Sequence, residues 1–212
     1  MILVVDNSVK GPDGTLATEI TSYLSDAELY DYPDLGRAPD LDGVDGVVLA
    51  GSEAGVYEVP DRPWIEDQQA FVRDLVDAGV PTLGVCFGHQ IVNAALGGEV
   101  VDSGVTHGHF VDAALTDDPL FEGVDPVVPV LHSDVVTELG EGMEVIGSAD
   151  YYEYFATRHV DRPVWTVQFH PEFTDRVASS YEDVWEPTDF AFADATATRT
   201  IANFEALAAG DS

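Results

Sequence analysis

The segment Gly84-Val85-Cys86-Phe87-Gly88-His89-Gln90 constrains this chain more than any other. It runs from an apolar stretch, residues 81–86, straight into a helical pattern over 88–96, with glycine two residues on either side of the cysteine. That is the spacing of a nucleophile elbow, a strained strand-to-helix turn that lifts its central side chain above a sheet. The flanking glycines let strand and helix pack closely, so the segment predicts a buried strand feeding a helix.

The rest of the pattern agrees with that local reading. Residues 1–5 form an apolar run closed by Asp6-Asn7, followed by turn chemistry at Gly11-Pro12-Asp13-Gly14. Leu16, Ile20, Tyr23 and Leu24 recur at helical spacing, residues 27–32 read as extended, and 44–50 as a buried strand. A helix over 64–78 carries Ile65, Phe71, Leu75 and Val76 on its apolar side. Strand and helix in alternation predict an α/β fold, a doubly wound, mostly parallel or mixed sheet with helices on both faces. After Gly97-Gly98 the pattern changes to short strands near 99–101, 110–114, 127–131, 144–148, 154–157 and 164–169, and 195–209 reads as a closing helix. No internal repeat or Ser/Gly-rich linker interrupts it, so residues 1–212 are expected to form a single domain.

Charge excludes several partners. The 212 residues hold 40 Asp and Glu against 8 Lys and Arg, a net charge of −32 at pH 7. Nucleic-acid affinity comes mainly from Lys and Arg releasing counterions, so nucleic acid and anionic membrane are not expected partners. The carboxylates are spread over the whole chain and read as a solvated surface suited to high salt, as in a halophile. A single cysteine forms no intrachain disulfide, no leader precedes Val4-Val5-Asp6, and no apolar run approaches the ~18 residues of a membrane span. These features predict a soluble cytoplasmic protein. Of six histidines, His107 and His109 stand two apart with no second cysteine or His-x-x-x-His helix, so no metal site is expected.

The elbow places Cys86 at a helix N-terminus, whose positive end favours the thiolate. The alternative for a lone cysteine is a buried, inert side chain. A nucleophile needs a proton-transfer partner, which in turn needs a group to orient it. Val167-Gln168-Phe169-His170-Pro171-Glu172 supplies both: His170 as base at a strand end and Glu172 as orienter, with Pro171 stiffening the turn between them.

With these residues the chain resembles the class I glutamine amidotransferases, and among them the glutaminase modules of GMP synthetases. The resemblance begins with Val44-Asp45-Gly46-Val47-Val48-Leu49-Ala50-Gly51-Ser52 and Val56-Tyr57, passes through Gly84 to Gln90 and His132-Ser133-Asp134, and ends at Gln168 to Glu172. It implies a flavodoxin-like glutaminase fold, a Cys86-His170-Glu172 triad, glutamine as substrate and no cofactor. It further implies an oxyanion hole made by the backbone N–H groups of Ser52 and Phe87. Two positions depart from the family pattern, with Ser52 for the usual second glycine of the loop and Glu53 for the usual proline. Serine resists positive φ, so a loop that must flip would leave basal activity weak until an acceptor or partner binds. Gly51 and Gln90 are expected beside the substrate. Thr106-His107-Gly108-His109-Phe110 lies where related enzymes hold the α-amino and α-carboxylate groups, with exposed loop histidines as the alternative. His89 reads as structural, and His132 and Asp134 as support for the site.

The chain has no Gly-x-x-x-x-Gly-Lys-Ser/Thr loop, and Lys10 is its only lysine, so ATP activation within it is not expected. Ammonia would then pass to an acceptor on a synthetase or acceptor subunit. The neighbouring reading is a stand-alone γ-glutamyl hydrolase or transferase acting on a γ-glutamyl amine or peptide. A non-enzymatic cysteine sensor is a third, against which stands His170-Pro171-Glu172, since a sensor needs no oriented base. Finally, the 30 residues between Glu172 and Asn203 exceed the family's usual length. Tyr181, Trp185, Phe190 and Phe192 there read as a partner surface or site lid, or as aromatics packed back on the domain.

Overall fold

The computed structural model describes residues 1–9, 15–186 and 190–210. The turn expected at Gly11 to Gly14 and the lone Lys10 lie outside the described residues. The order is β1 (Ile2–Asp6), α1 (Thr15–Ser22), β2 (Ala27–Asp31), a one-turn α2 (Tyr32–Leu35), β3 (Gly46–Leu49), α3 (Trp64–Ala78), β4 (Thr82–Val85) and α4 (Phe87–Ala95). There follow β5 (Glu99–Leu115), β6 (Val127–Glu138), β7 (Met143–Ala149), β8 (Tyr152–His159), β9 (Val164–Val167), a short α5 (Asp175–Ala178) and α6 (Arg199–Ala209).

Among the described residues nine strands join one sheet in the order β2-β1-β3-β4-β9-β8-β7-β5-β6. The pairs from β2 to β9 are parallel, and those from β9 to β6 antiparallel. Every residue of β1, β3 and β4 is buried, as a parallel sheet covered on both faces requires. The chain leaves β1 toward β2 on one side and β3 toward β4 on the other, so right-handed crossovers put α1 and α3 on opposite faces. Ser25, just past α1, donates its N–H to Glu205 of α6 at 2.7 Å, which groups α1 with α6. A Cβ on Gly46 would stand 2.9 Å from the Ala208 Cβ, so α6 needs that glycine to lie flat on β3. On the other face α3 packs on α4 and α2.

Three expectations are corrected. The two short strands expected at 99–101 and 110–114 are one strand, β5, in which residues 103–106 bulge out between Asp102 and His107, with Gly104 at φ +72°. The bulge is exposed and turns at Gly104, which breaks the period in the sequence and hides the continuity. Strand β6 does not end at 131 but runs to Glu138, with burial alternating from Val130 to Val136 and His132 and Asp134 among the buried positions. Polar residues on the inner face masked it. The closing helix starts at Arg199 rather than 195, because Thr196 is held in the loop, its Oγ1 accepting the Asp125 N–H at 2.6 Å.

The ends of β1, β3, β4 and β9 converge on one side of the sheet, next to the point where the strand order reverses around β1. Crevices at such switch points are where open α/β sheets bind ligands. Asn7, fully buried, clamps this edge: its side-chain amide donates to the Ala50 carbonyl at 3.0 Å and accepts from Gln68 at 2.6 Å. No described helix is long and apolar enough to cross a membrane.

Candidate active site

Among the described residues Cys86 is the only non-glycine at positive φ (φ 54°, ψ −104°). A residue held there costs on the order of 1–3 kcal/mol and persists only where its surroundings over-determine it. They do so here through backbone contacts. The Cys86 N–H donates to Val167 at 2.9 Å, and its carbonyl accepts from Gln90 at 3.1 Å. A Cβ on Gly84 would lie 2.4 Å from the Gly88 oxygen, and one on Gly88 2.0 Å from the Leu49 oxygen. Both obstacles are main chain, so no side chain fits at either position. The elbow read from the sequence is therefore built from close backbone approach.

Above it, His170 extends from the end of β9, where its N–H donates to Pro129 at 2.9 Å. Its Nδ1 meets Glu172 Oε1 at 2.8 Å. Its Nε2 faces the Leu131 carbonyl at 3.2 Å, which the Cys86 sulfur also faces at 3.7 Å. The sulfur and the ring therefore meet at one shared carbonyl. A carboxylate and a carbonyl both accept, so both ring nitrogens carry hydrogen and His170 is an imidazolium. Burial opposes that charge, yet Glu172 and Cys86 outweigh it and hold the His170 pKa well above its ordinary value. Glu172 is fully buried, and its Oε2 has no hydrogen-bond partner among the described residues.

Phe87 is the first residue of α4, so its N–H has no partner within the helix. Across from it, Gly51 comes close enough that a Cβ would stand 3.3 Å from His170 Cε1. Ser52 does not occupy positive φ, so the strain expected of serine is not present in this conformation. Its hydroxyl accepts the Ala54 N–H at 3.0 Å, and Glu53 accepts from the Val9 N–H at 3.3 Å. The two departures from the family pattern thus tie the loop down.

These groups line a cavity of about 690 Å³ shared by Cys86, His170, Gly51, Ser52, Gln90 and Tyr57. Gln90 is buried, and its amide donates to the Asp134 carbonyl at 3.3 Å and to Gln168 Oε1 at 3.2 Å. Tyr57 donates to Asp134 Oδ1 at 3.2 Å. Burial pushes the Asp134 carboxyl up, and burial beside Asp134 raises the Tyr57 phenol to about 12.

His107, Gly108 and His109 pair with His132, Leu131 and Val130 on β6 and do not line the cavity, whereas the adjacent Thr106 does. His107 stacks on Tyr151 at 4.1 Å between ring centres. His132, which does line the cavity, donates from Nδ1 to the Asp134 carbonyl at 3.0 Å and accepts the Tyr151 hydroxyl at 2.8 Å. Burial lowers its pKa to about 3, so it is neutral. His89 is likewise buried and neutral between Thr166 and Tyr152, its pKa lowered to about 3 by burial. Among the described residues no group of three or more His, Cys, Asp or Glu is arranged to hold a metal ion. Of the segment expected at the substrate's α-amino and α-carboxylate groups, Thr106 alone reaches the cavity. The sequence reading missed the Leu131 carbonyl and Tyr151: the first is a backbone atom that any residue would supply, and the second carries no motif.

The family model of glutamine amidotransferase class-I matches residues 16–181. Glutamine-hydrolysing GMP synthase of Streptococcus mutans is 33% identical over 133 residues, covering 60% of this chain and 24% of that protein. The GMP synthase of Thermosipho africanus is 35% identical over 159 residues, covering 68% of this chain and 29% of that protein. The chain thus spans about a quarter of the length of the curated relatives it matches. A solved glutamine amidotransferase from Thermotoga maritima shares the fold, with a TM-score of 0.72 and 20% identity over 97% of this chain and 93% of that one. With the family match running through α1, the elbow and the His170-Pro171-Glu172 turn, this chain belongs to the class I glutamine amidotransferases.

Proposed function

We propose that residues 1–212 act as one glutaminase unit that hydrolyses the side-chain amide of glutamine and delivers the ammonia to an acceptor site on a synthetase partner. The carrying observation is the arrangement of Cys86, His170 and Glu172 on a strained elbow, with an imidazolium already formed beside the sulfur. The Cys86 thiolate attacks the amide carbon, and the resulting oxyanion is held by the N–H groups of Phe87 and Ser52. As the C–N bond breaks, His170 gives its proton to the departing nitrogen, ammonia leaves, and a glutamyl thioester remains on sulfur. Neutral His170 then takes a proton from water, whose oxygen attacks the thioester. Glutamate departs, and the thiolate and imidazolium are restored. Glu172 keeps Nδ1 protonated so that Nε2 faces the reaction.

Gly51 and Gln90 sit beside the substrate, and the Tyr57–Asp134 end of the cavity suits its α-ammonium group. His107 and His109 act at one remove, through His132 and Tyr151. The relatives named GMP synthase support the glutamine-hydrolysing reading and a synthetase as destination for the ammonia. The test is ammonia and glutamate release from glutamine, measured with and without γ-glutamyl amines as competitors. Equal molar release by the wild-type chain and none by Cys86→Ala is expected. Glutamine left intact while γ-glutamyl amines are cleaved would replace this reading with that of a γ-glutamyl hydrolase.

A further inference from the structure

Directly after Glu172 the chain crosses the cavity before it reaches its closing helix. Arg176 pairs with the buried Glu19 of α1, and the Glu186 N–H donates to the Gly108 carbonyl of β5 at 2.6 Å. Residues 174–186 are therefore pinned to two elements that contribute to different walls of the cavity, Leu16 and Ala17 of α1 and Thr106 of β5. The strap seats on bare backbone at its far end, where a Cβ on Gly108 would stand 2.3 Å from the Val184 oxygen. Between the anchors, Ser180 and Tyr181 join Cys86 and His170 in lining the cavity.

Aromatic contacts fix this span against the triad. Phe173, buried next to Glu172, lies 5.9 Å from the His170 ring, 5.7 Å from Tyr181 and 4.9 Å from Trp185, which is stacked on it. Phe110 of β5 closes the far side, edge-on to Trp185 at 5.4 Å. Tyr181 thus adjoins the ring that packs on His170, and both Tyr181 and His170 line the cavity. In the proposed reaction His170 protonates the departing nitrogen, so a group attached to that nitrogen would compete for the part of the cavity that His170 and Tyr181 share.

We propose that residues 174–186 form a fixed cover over the nucleophile and that Tyr181 determines specificity, restricting the site to an unsubstituted carboxamide and rejecting bulky γ-glutamyl amides. The substrate part of this inference rests on the function proposed above, and the cover does not. Cys86 is the only cysteine, so alkylation reports on the cover without any substrate. Tyr181→Ala is expected to raise the rate of Cys86 labelling by a fluorescein maleimide about tenfold more than that by iodoacetamide, and Tyr181→Phe is expected to keep the wild-type ratio, because ring volume does the excluding. Gly108→Val, which unseats Val184, shifts the ratio the same way with Tyr181 intact; if that variant does not fold, Tyr181→Ala decides alone. In turnover, the kcat/KM ratio of glutamine to γ-glutamyl-4-nitroanilide falls about tenfold in Tyr181→Ala. Labelling rates that rise equally for both reagents, or not at all, overturn the cover. A changed labelling ratio with an unchanged substrate ratio overturns Tyr181 as specificity determinant. Glutamine left intact by the wild-type chain overturns the proposed function, with the labelling ratio still deciding the cover.

Discussion

Replacing Glu172 by glutamine removes the charge that holds a proton on a fully buried imidazole while leaving side-chain size almost unchanged. At 2.8 Å between Nδ1 and Oε1, an effective dielectric of ~20 gives an attraction of about 6 kcal/mol. Burial of both groups offsets much of that, and removing one partner of such a pair costs ~3–5 kcal/mol. The pH dependence carries the sign. His170 has a folded-state pKa raised well above the unfolded value of ~6.5, so its contribution to stability is fully present below pH ~6.5 and is lost as pH rises through the folded pKa. In Glu172→Gln only the Cys86 sulfur remains to oppose burial, and that contribution shrinks or reverses. Urea unfolding of both proteins from pH 5 upward is therefore expected to show the largest stability gap, about 3 kcal/mol or more, at the acid end. The gap should narrow above pH ~6.5. Glutaminase activity of the variant falls by roughly 10²-fold, less than in His170→Ala, because the ring stays in place with weaker orientation. A stability gap independent of pH, or one that widens with rising pH, would refute the charge pair as described.

Other expectations follow from contacts elsewhere. Gly88→Ala forces a Cβ to within 2.0 Å of the Leu49 oxygen, so its urea midpoint should drop by the equivalent of about 3 kcal/mol, and an unchanged midpoint would mean the elbow can relax. Ser52→Gly removes the hydroxyl that holds Ala54 and relieves no positive φ, so basal ammonia release should stay level or fall; a rise would mean that the loop must flip to act. The net charge of −32 predicts thermal stability rising steeply from dilute buffer to molar KCl, as the Debye length falls from ~30 to ~3 Å. A nonionic osmolyte serves as control for surface exclusion, and equal melting in both buffers would contradict the role given to screening.

The parts of the site that the sequence makes legible are those where one residue type has one physical reason. Gly84 and Gly88 stand where only glycine lets strand and helix touch, and that spacing by itself locates Cys86. His170-Pro171-Glu172 is similar, since its short spacing already places both groups at one strand end. Features made by backbone or by distant partners are illegible. The Leu131 carbonyl faces both Cys86 and His170, yet leucine at that position carries no signal. Strand β6 keeps its alternation through His132 and Asp134, but with polar residues on the inner face the period looks broken. The aromatic run after Glu172 reads as a cover or partner surface, whereas its seat on Gly108 depends on a contact with Val184, far along the chain. His107 and His109 show the converse case, for nearness in sequence to Thr106 does not put them on the wall of this cavity.

The central claim is that Cys86 carries the glutamyl group during hydrolysis of glutamine. Acid quenching during turnover, followed by proteolysis and mass spectrometry, tests it most directly. A glutamyl adduct is expected on the peptide containing Cys86, enriched in Glu172→Gln at a pH where thioester hydrolysis is slowed, and absent from Cys86→Ala together with all ammonia release. Ammonia release that persists in Cys86→Ala, or an adduct on any other residue, would contradict it.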